Sequence, residues 1–197
     1  MNTSPNRPSL TAHSSKPSRR VLATLLLAAV AAAVIAGSAL AANLVKNGSF
    51  EKDSNGDGVP NSWVGNGLTP ADKRVCNQSY AGNCSFKMIG DGNIRELIQV
   101  VAAPGLLGDE FNLTAWTKGK AVDLGTSGVA RVHVQFNNSD NSITIVWFDM
   151  PGGSSPWTKH QVSALASKNF DSITIFAQLL ADSGKMWVDK VKLAPNP

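Results

Sequence analysis

An all-β chain folded as an antiparallel sandwich or jelly roll is what residues 42–197 predict. Three observations carry this expectation: no long stretch shows a helical period, short segments alternate apolar and polar residues, and Gly, Asn, Asp, Ser or Pro separate them. A short apolar strand, Leu44-Val45, opens the set. Ser85–Ile89 and Ile94–Val101 follow, the second ended by Ala103-Pro104-Gly105. Phe111–Thr117 places its apolar residues at odd numbers. Val132, Val134 and Phe136 alternate with Arg131, His133 and Gln135. Ile143–Phe148, Trp157–Val162, Ile173–Leu180 and Met186–Leu193 complete a series of strands at sandwich spacing. No repeat of solenoid length and no interdomain linker interrupts it.

Residues 1–41 read differently. A basic region with Arg7, Lys16, Arg19 and Arg20 precedes an apolar run, Val21–Ala36, and the small residues Ala39-Leu40-Ala41. That order is an export signal, cut after Ala41. The run is shorter than the roughly 20 residues of a bilayer span, though an uncleaved anchor is the rival reading. Ser18-Arg19-Arg20 gives a weak match to the twin-arginine route. Four of the 18 basic side chains lie in this leader, so residues 42–197 balance their 14 acids and carry no net charge. The basic isoelectric point then belongs to the signal. With no basic stripe interleaved with aromatics, nucleic acid is not an expected partner. Cys76 and Cys84 are the only cysteines. In an exported protein they are expected to pair and staple a hairpin, contributing on the order of 2–3 kcal/mol. A metal-binding thiol pair is the alternative, and no further Cys or nearby His supports it.

Asp53, Asn55, Asp57 and Gly58 follow the D-x-N-x-D-G start of a calcium loop. Calcium takes six to eight hard oxygens, and alternate side chains on a Gly-bearing loop deliver several. Val64 stands where the bidentate Glu of an EF-hand belongs, so this is not an EF-hand. Either the loop holds a cation, with Asn61 adding an oxygen, or it is a turn built from residues that cap their own backbone.

Alternation also sorts the polar residues by face. Trp116 falls on the polar side with Asn112 and Thr114. Arg131, His133 and Gln135 share a face, as do Thr174, Phe176 and Gln178, and Arg95 and Gln99 are assigned to join them. An aromatic ring covers the apolar face of a sugar, while amides and a guanidinium bond its hydroxyls. Trp116, Arg95, Gln99, Arg131, His133, Gln135, Phe176 and Gln178 are therefore the expected carbohydrate-binding residues. The competing reading makes Trp116 core. Trp63, Trp157 and Trp187 are expected to pack, and Trp147 is ambiguous because Ile143 and Ile145 share its face.

Asn43-Leu44-Val45-Lys46-Asn47-Gly48-Ser49-Phe50-Glu51 resembles the opening strand of carbohydrate-binding modules of the family 4 and 9 type, which are galactose-binding-domain-like jelly rolls. Gly82 and Ser85, Ile98-Gln99-Val100, Leu113–Gly119, Trp157-Thr158 and Trp187-Val188-Asp189 continue the resemblance in order across residues 42–197. It implies a concave sheet face that binds a polysaccharide or other glycan. It also implies a structural calcium between Glu51 and Asp189, although Lys190 replaces the second acid of the family's last motif.

Catalysis is not expected. Glu51, Glu96 and Glu110 sit in no recognisable glycosidase pair, and His133 and His160 have no visible nucleophile beside them. H-E-x-x-H, G-x-S-x-G and phosphate-loop motifs are absent. The sequence is read as a secreted, non-catalytic carbohydrate binder, with two alternatives: an adhesive surface protein, or an accessory module to a separate glycoside hydrolase.

Overall fold

The computed structural model describes residues 42–196, so the segment expected to be an export signal lies outside the described residues. Among these the protein is entirely β-structure, with ten strands: β1 Val64–Asn66, β2 Lys73–Val75, β3 Ser85–Ile89, β4 Ile94–Val101, β5 Glu110–Asp123, β6 Val129–Asn138, β7 Ile143–Asp149, β8 Gly153–Leu165, β9 Phe170–Leu180 and β10 Ser183–Pro195. They form two antiparallel five-stranded sheets. The first runs β1-β4-β9-β6-β7, and the second β2-β3-β10-β5-β8.

The core follows from the period of two. Phe111, Leu113 and Ala115 on β5 face Val132, Val134 and Phe136 on β6, with Ile173, Ile175, Ala177 and Leu179 from β9. All are buried, and Phe111, Phe136 and Phe170 meet edge-on or tilted at 5.0–6.0 Å between ring centroids.

The opening segment departs from expectation. Leu44-Val45 forms no strand. It runs beside β10, where Leu44 donates to the Leu193 carbonyl at 2.8 Å and the Asn43 side chain accepts from Leu193 N–H at 3.0 Å. A polar side chain has taken a ladder position, so the pairing does not propagate. A Cβ on Gly48 would collide with the Val191 carbonyl oxygen, and this close approach requires glycine. The turn then places Phe50 at φ 57°, fully buried against Trp63 and Phe86. Left-handed backbone at a bulky residue is strained, and the burial of the ring offsets that strain.

Cys76 and Cys84 are disulfide-bonded and close the β2–β3 hairpin, whose last pair is Val75 and Ser85.

Candidate glycan-binding face

Residues paired across neighbouring strands share a face, so the register alone assembles the outer surface of the first sheet. Its middle row is Val64, Ile98, Phe176, His133 and Trp147, one from each strand in order β1-β4-β9-β6-β7. One step along lies a polar row: Asn66, Glu96, Gln178, Arg131 and Asp149. On the opposite side the row is Val100, Thr174, Gln135 and Ile145, polar only on β9 and β6, followed by Ser172, Asn137 and Ile143. The result is an apolar, aromatic stripe with a polar row on one side and a polar centre on the other.

The stripe is held stiffly. His133 and Phe176 stack with centroids 4.4 Å apart at 15°. Trp147 lies at the end of the stripe, 47% exposed, with the Arg131 guanidinium 5.5 Å from its ring centroid. Its indole N–H donates to Asp149 at 3.1 Å, and Asp149 also pairs with Arg131 at 3.4 Å. In the polar row, Gln178 and Asn66 both donate to the Glu96 carboxylate, at 2.8 and 2.7 Å. Gln135 donates to Asn137, whose amide in turn donates to Ser172 and Thr174. These bonds fix amide and carboxylate orientations before any ligand arrives, which lowers the entropy cost of binding.

His133 is only 7% exposed, and its Nδ1 has no hydrogen-bond partner. Burial lowers its pKa from 6.5 to about 4, the nearby Arg131 charge adds to the shift, and Glu96 opposes it. The ring is therefore neutral near pH 7 and serves the stripe by stacking against Phe176 and holding it in place, with little face of its own exposed.

Arg131, His133, Gln135, Phe176 and Gln178 thus share this surface. Three expected members do not. Arg95 and Gln99 point inward with Leu97, because β4 buries its odd-numbered residues. Arg95 pairs with Asp72 at 3.1 Å and with Asp91, and donates to the Gly67 carbonyl, tying the β1–β2 loop to the β3–β4 loop. Gln99 exchanges two hydrogen bonds with the Lys46 backbone, extending the sheet by a side chain. Trp116 lies on the outer face of the second sheet, opposite Asp189 and Lys159. Tyr80, from the disulfide loop, stacks on it at 3.4 Å between centroids. Trp116 also lines a cavity of about 420 Å³ with Asn47, Ser49 and Lys190. Trp147, left ambiguous by sequence, is the exposed aromatic on the first sheet. Glu96, Asn66 and Asn137 were missed, since only cross-strand register brings them here.

The expected cation positions are occupied by hydrogen bonds. Both oxygens of Asp53 accept loop amides, from Gly56 and Gly58, and Asp57 accepts from Val59 N–H and the Asn55 amide. Asn61 accepts from Ser54 N–H. Asp189 is fully buried and accepts from Tyr80, Ala81 and Lys190 amides. Burial and the Glu51 charge raise its pKa while the amides oppose the shift. Glu51 accepts from Asn83 and Cys84 amides. The Phe50 and Glu51 carbonyls accept from the Arg74 guanidinium, both at 2.7 Å. Among the described residues no three acidic, His or Cys side chains converge on a point. Calcium takes six to eight oxygens, so beside Glu51 and Asp189 backbone carbonyls would have to supply the rest. Through the amides they bond, Glu51 and Asp189 pin the disulfide loop to the first segment and to β10.

One histidine does meet a hydroxyl: His160 Nε2 lies 2.9 Å from Thr117 Oγ1. Thr117 is 1% exposed, inside the sandwich, where no substrate reaches it.

Comparison with known proteins agrees with this architecture. No protein-family model matches the chain, and no curated protein does. Solved structures do. A family 61 carbohydrate-binding module in complex with β-1,4-galactotriose matches with a TM-score of 0.55 and 17% identity, over 79% of this chain and 99% of that one. A family 16 module matches at 0.53 and 21%, over 77% and 99%. A family 22 xylan-binding domain from Paenibacillus barcinonensis matches at 0.54 and 10%, over 81% and 97%. Enzymes share the fold too. The enzymatically active domain of a bacteriophage CBA120 tailspike matches at 0.58 and 14%, and the chain spans 21% of its length. A cyclase from Fischerella matches at 0.54 and 17%, over 96% of its length. The chain therefore has the jelly-roll fold found mainly, among these neighbours, in carbohydrate-binding modules.

Proposed function

We propose that the protein is a secreted, non-catalytic carbohydrate-binding module that takes a polysaccharide chain along the Val64–Ile98–Phe176–His133–Trp147 stripe. The observation that carries this reading is the stripe itself, an aromatic-bearing apolar row flanked by pre-oriented amides and charges. Sugar rings present apolar C–H faces and a hydroxyl periphery, and such a row matches both. The export segment and the disulfide support an extracytoplasmic setting. No acid pair on this face has the open geometry of a glycosidase, because Glu96 and Asp149 are both engaged by neighbours.

A second reading has its own observation. Strand β7 is an edge strand with Ile143, Ile145 and Trp147 exposed in alternation, at 57%, 38% and 47%. An apolar free edge serves protein adhesion equally well. Titrating β-1,4-galactan, xylan and β-glucan against tryptophan fluorescence separates the readings. One neutral glycan is expected to give a saturable change. Trp147→Ala is expected to weaken it roughly thirtyfold, the equivalent of about 2 kcal/mol for the loss of an exposed aromatic contact. No response to any glycan favours adhesion. A response lost in Trp116→Ala but kept in Trp147→Ala moves the ligand to the opposite sheet.

A further inference from the structure

The second sheet has an outer face of different chemistry. Cross-strand pairing brings Lys73 opposite Lys87, Lys87 opposite Trp187, and Trp187 opposite Lys118. In the next row Lys185 stands directly opposite Lys120. Each lysine comes from its own strand position, and each neighbours the others at strand spacing, so the cluster spans roughly 14 Å. None of them forms an ion pair with an acid of the described residues. Asp189, on the same sheet, is fully buried and bonded to amides.

Like charges placed directly opposite on a sheet are destabilising. Two such pairs, Lys73–Lys87 and Lys120–Lys185, stand here without an ion-pair partner within reach. Lys87 registers the crowding: burial and the charges of Lys185 and Lys73 hold its pKa below the ordinary lysine value, although the Asp72 charge opposes the shift. Trp187 is only 7% exposed and receives Lys118 over its ring at 5.8 Å. It anchors the lysines and offers no stacking surface.

We propose that this lysine face is a docking surface for a linear anionic polysaccharide, separate from the stripe on the first sheet. Charge complementarity selects a polyanion. No arginine belongs to the cluster, since Arg74 on β2 is paired with the core residue Phe86 and bonds the Phe50 and Glu51 carbonyls. Lysine ammoniums are point charges that follow charge spaced along a polymer and do not demand the forked geometry a guanidinium offers a single carboxylate or phosphate. The exposed Tyr80 lies beside the cluster, but one of its faces is taken by Trp116, so no row of free rings runs among the lysines to stack bases, and no large exposed aliphatic side chain is there to enter a lipid layer.

The test is affinity electrophoresis of the purified protein through gels containing polygalacturonate, at low and raised NaCl. The combined variant Lys73→Gln, Lys87→Gln, Lys118→Gln and Lys185→Gln is run beside wild type. Retention by wild type is expected to fall at least tenfold between 50 and 500 mM salt, as roughly expected when several charge contacts are screened. The variant is expected to lose at least tenfold at low salt. Its melting temperature should stay level or rise, because like-charge pairs are relieved. Equal retention of the variant, or retention indifferent to salt, overturns the proposal. So does binding to phosphatidylserine vesicles without binding to polygalacturonate. If Trp147→Ala abolishes polygalacturonate retention while the lysine variant keeps it, the polymer sits on the first sheet, and the lysine face is not its site.

Discussion

Acidification should weaken this fold through one buried ring. His133 stacks on Phe176 in the stripe on the first sheet's outer face, 7% exposed and with Nδ1 unbonded. Arg131, Glu96 and Asp149 are the charged groups on the same face. The folded ring resists protonation until about pH 4, whereas the unfolded ring takes a proton near 6.5. Between these values the unfolded chain binds more protons, so stability falls as pH drops. Each pH unit in that window is worth about 1.4 kcal/mol, which gives a loss on the order of 2–3 kcal/mol between pH 6.5 and 4. Above pH 6.5 the ring contributes no pH dependence. His133→Phe preserves a ring against Phe176 and cannot titrate. Urea unfolding at pH 7, 5 and 4 should show wild type losing about 2–3 kcal/mol more than the variant. The His133 imidazole proton signal followed by NMR should titrate near pH 4. A midpoint near 6.5, or parallel losses in the two proteins, would refute the claim that burial keeps this ring neutral.

Three further outcomes follow from the disulfide loop. Asp189→Ala leaves the amides of Tyr80, Ala81 and Lys190 without their acceptor, and should cost about 2–4 kcal/mol in urea unfolding. Chelator should leave the wild-type melting temperature unchanged, since loop amides already bond the Asp189 carboxylate and one oxygen of Glu51; a drop of several degrees would show a structural cation at these residues. Reducing Cys76–Cys84 should cost on the order of 2–3 kcal/mol. It should also shift tryptophan emission to longer wavelength as Tyr80 leaves Trp116, and an unchanged spectrum would show that the stack does not need the bridge.

Eight of the ten strands were legible in the sequence, because their alternation is long enough to count. Val64–Asn66 and Lys73–Val75 have three residues each, too few for a period. Alternation separates a strand's two faces but does not say which is inner when both are mixed. On β4 the inner set holds Arg95 and Gln99 beside Leu97, while Ile94, Ile98 and Val100 face outward. Polarity therefore pointed the wrong way for Arg95 and Gln99, whose charge and amide are satisfied inside by Asp72 and the Lys46 backbone. Trp116 was assigned to the correct side of its own strand, yet that side belongs to the other sheet. Which strands are neighbours is a long-range fact, and one chain's local pattern does not hold it.

The same limit explains the charge argument. Summed over residues 42–197 the charges cancel, and no run of lysines marks the chain, because each cluster lysine is flanked by residues facing the other way. Folding separates what the sum conceals. The first sheet's outer face pairs its charges, Arg131 with Asp149 and Glu96 with amides, and sets them beside exposed aromatic and aliphatic groups. The second sheet's outer face leaves its lysines unpaired. A neutral sugar chain held by contact and hydrogen bonds should bind the first face with little salt dependence, whereas a polyanion on the second should be released by salt. Ionic strength is thus the variable that tells the two faces apart, and a glycan whose binding to Trp147 proved as salt-sensitive as the lysine face would show that the stripe works by charge rather than by its rings.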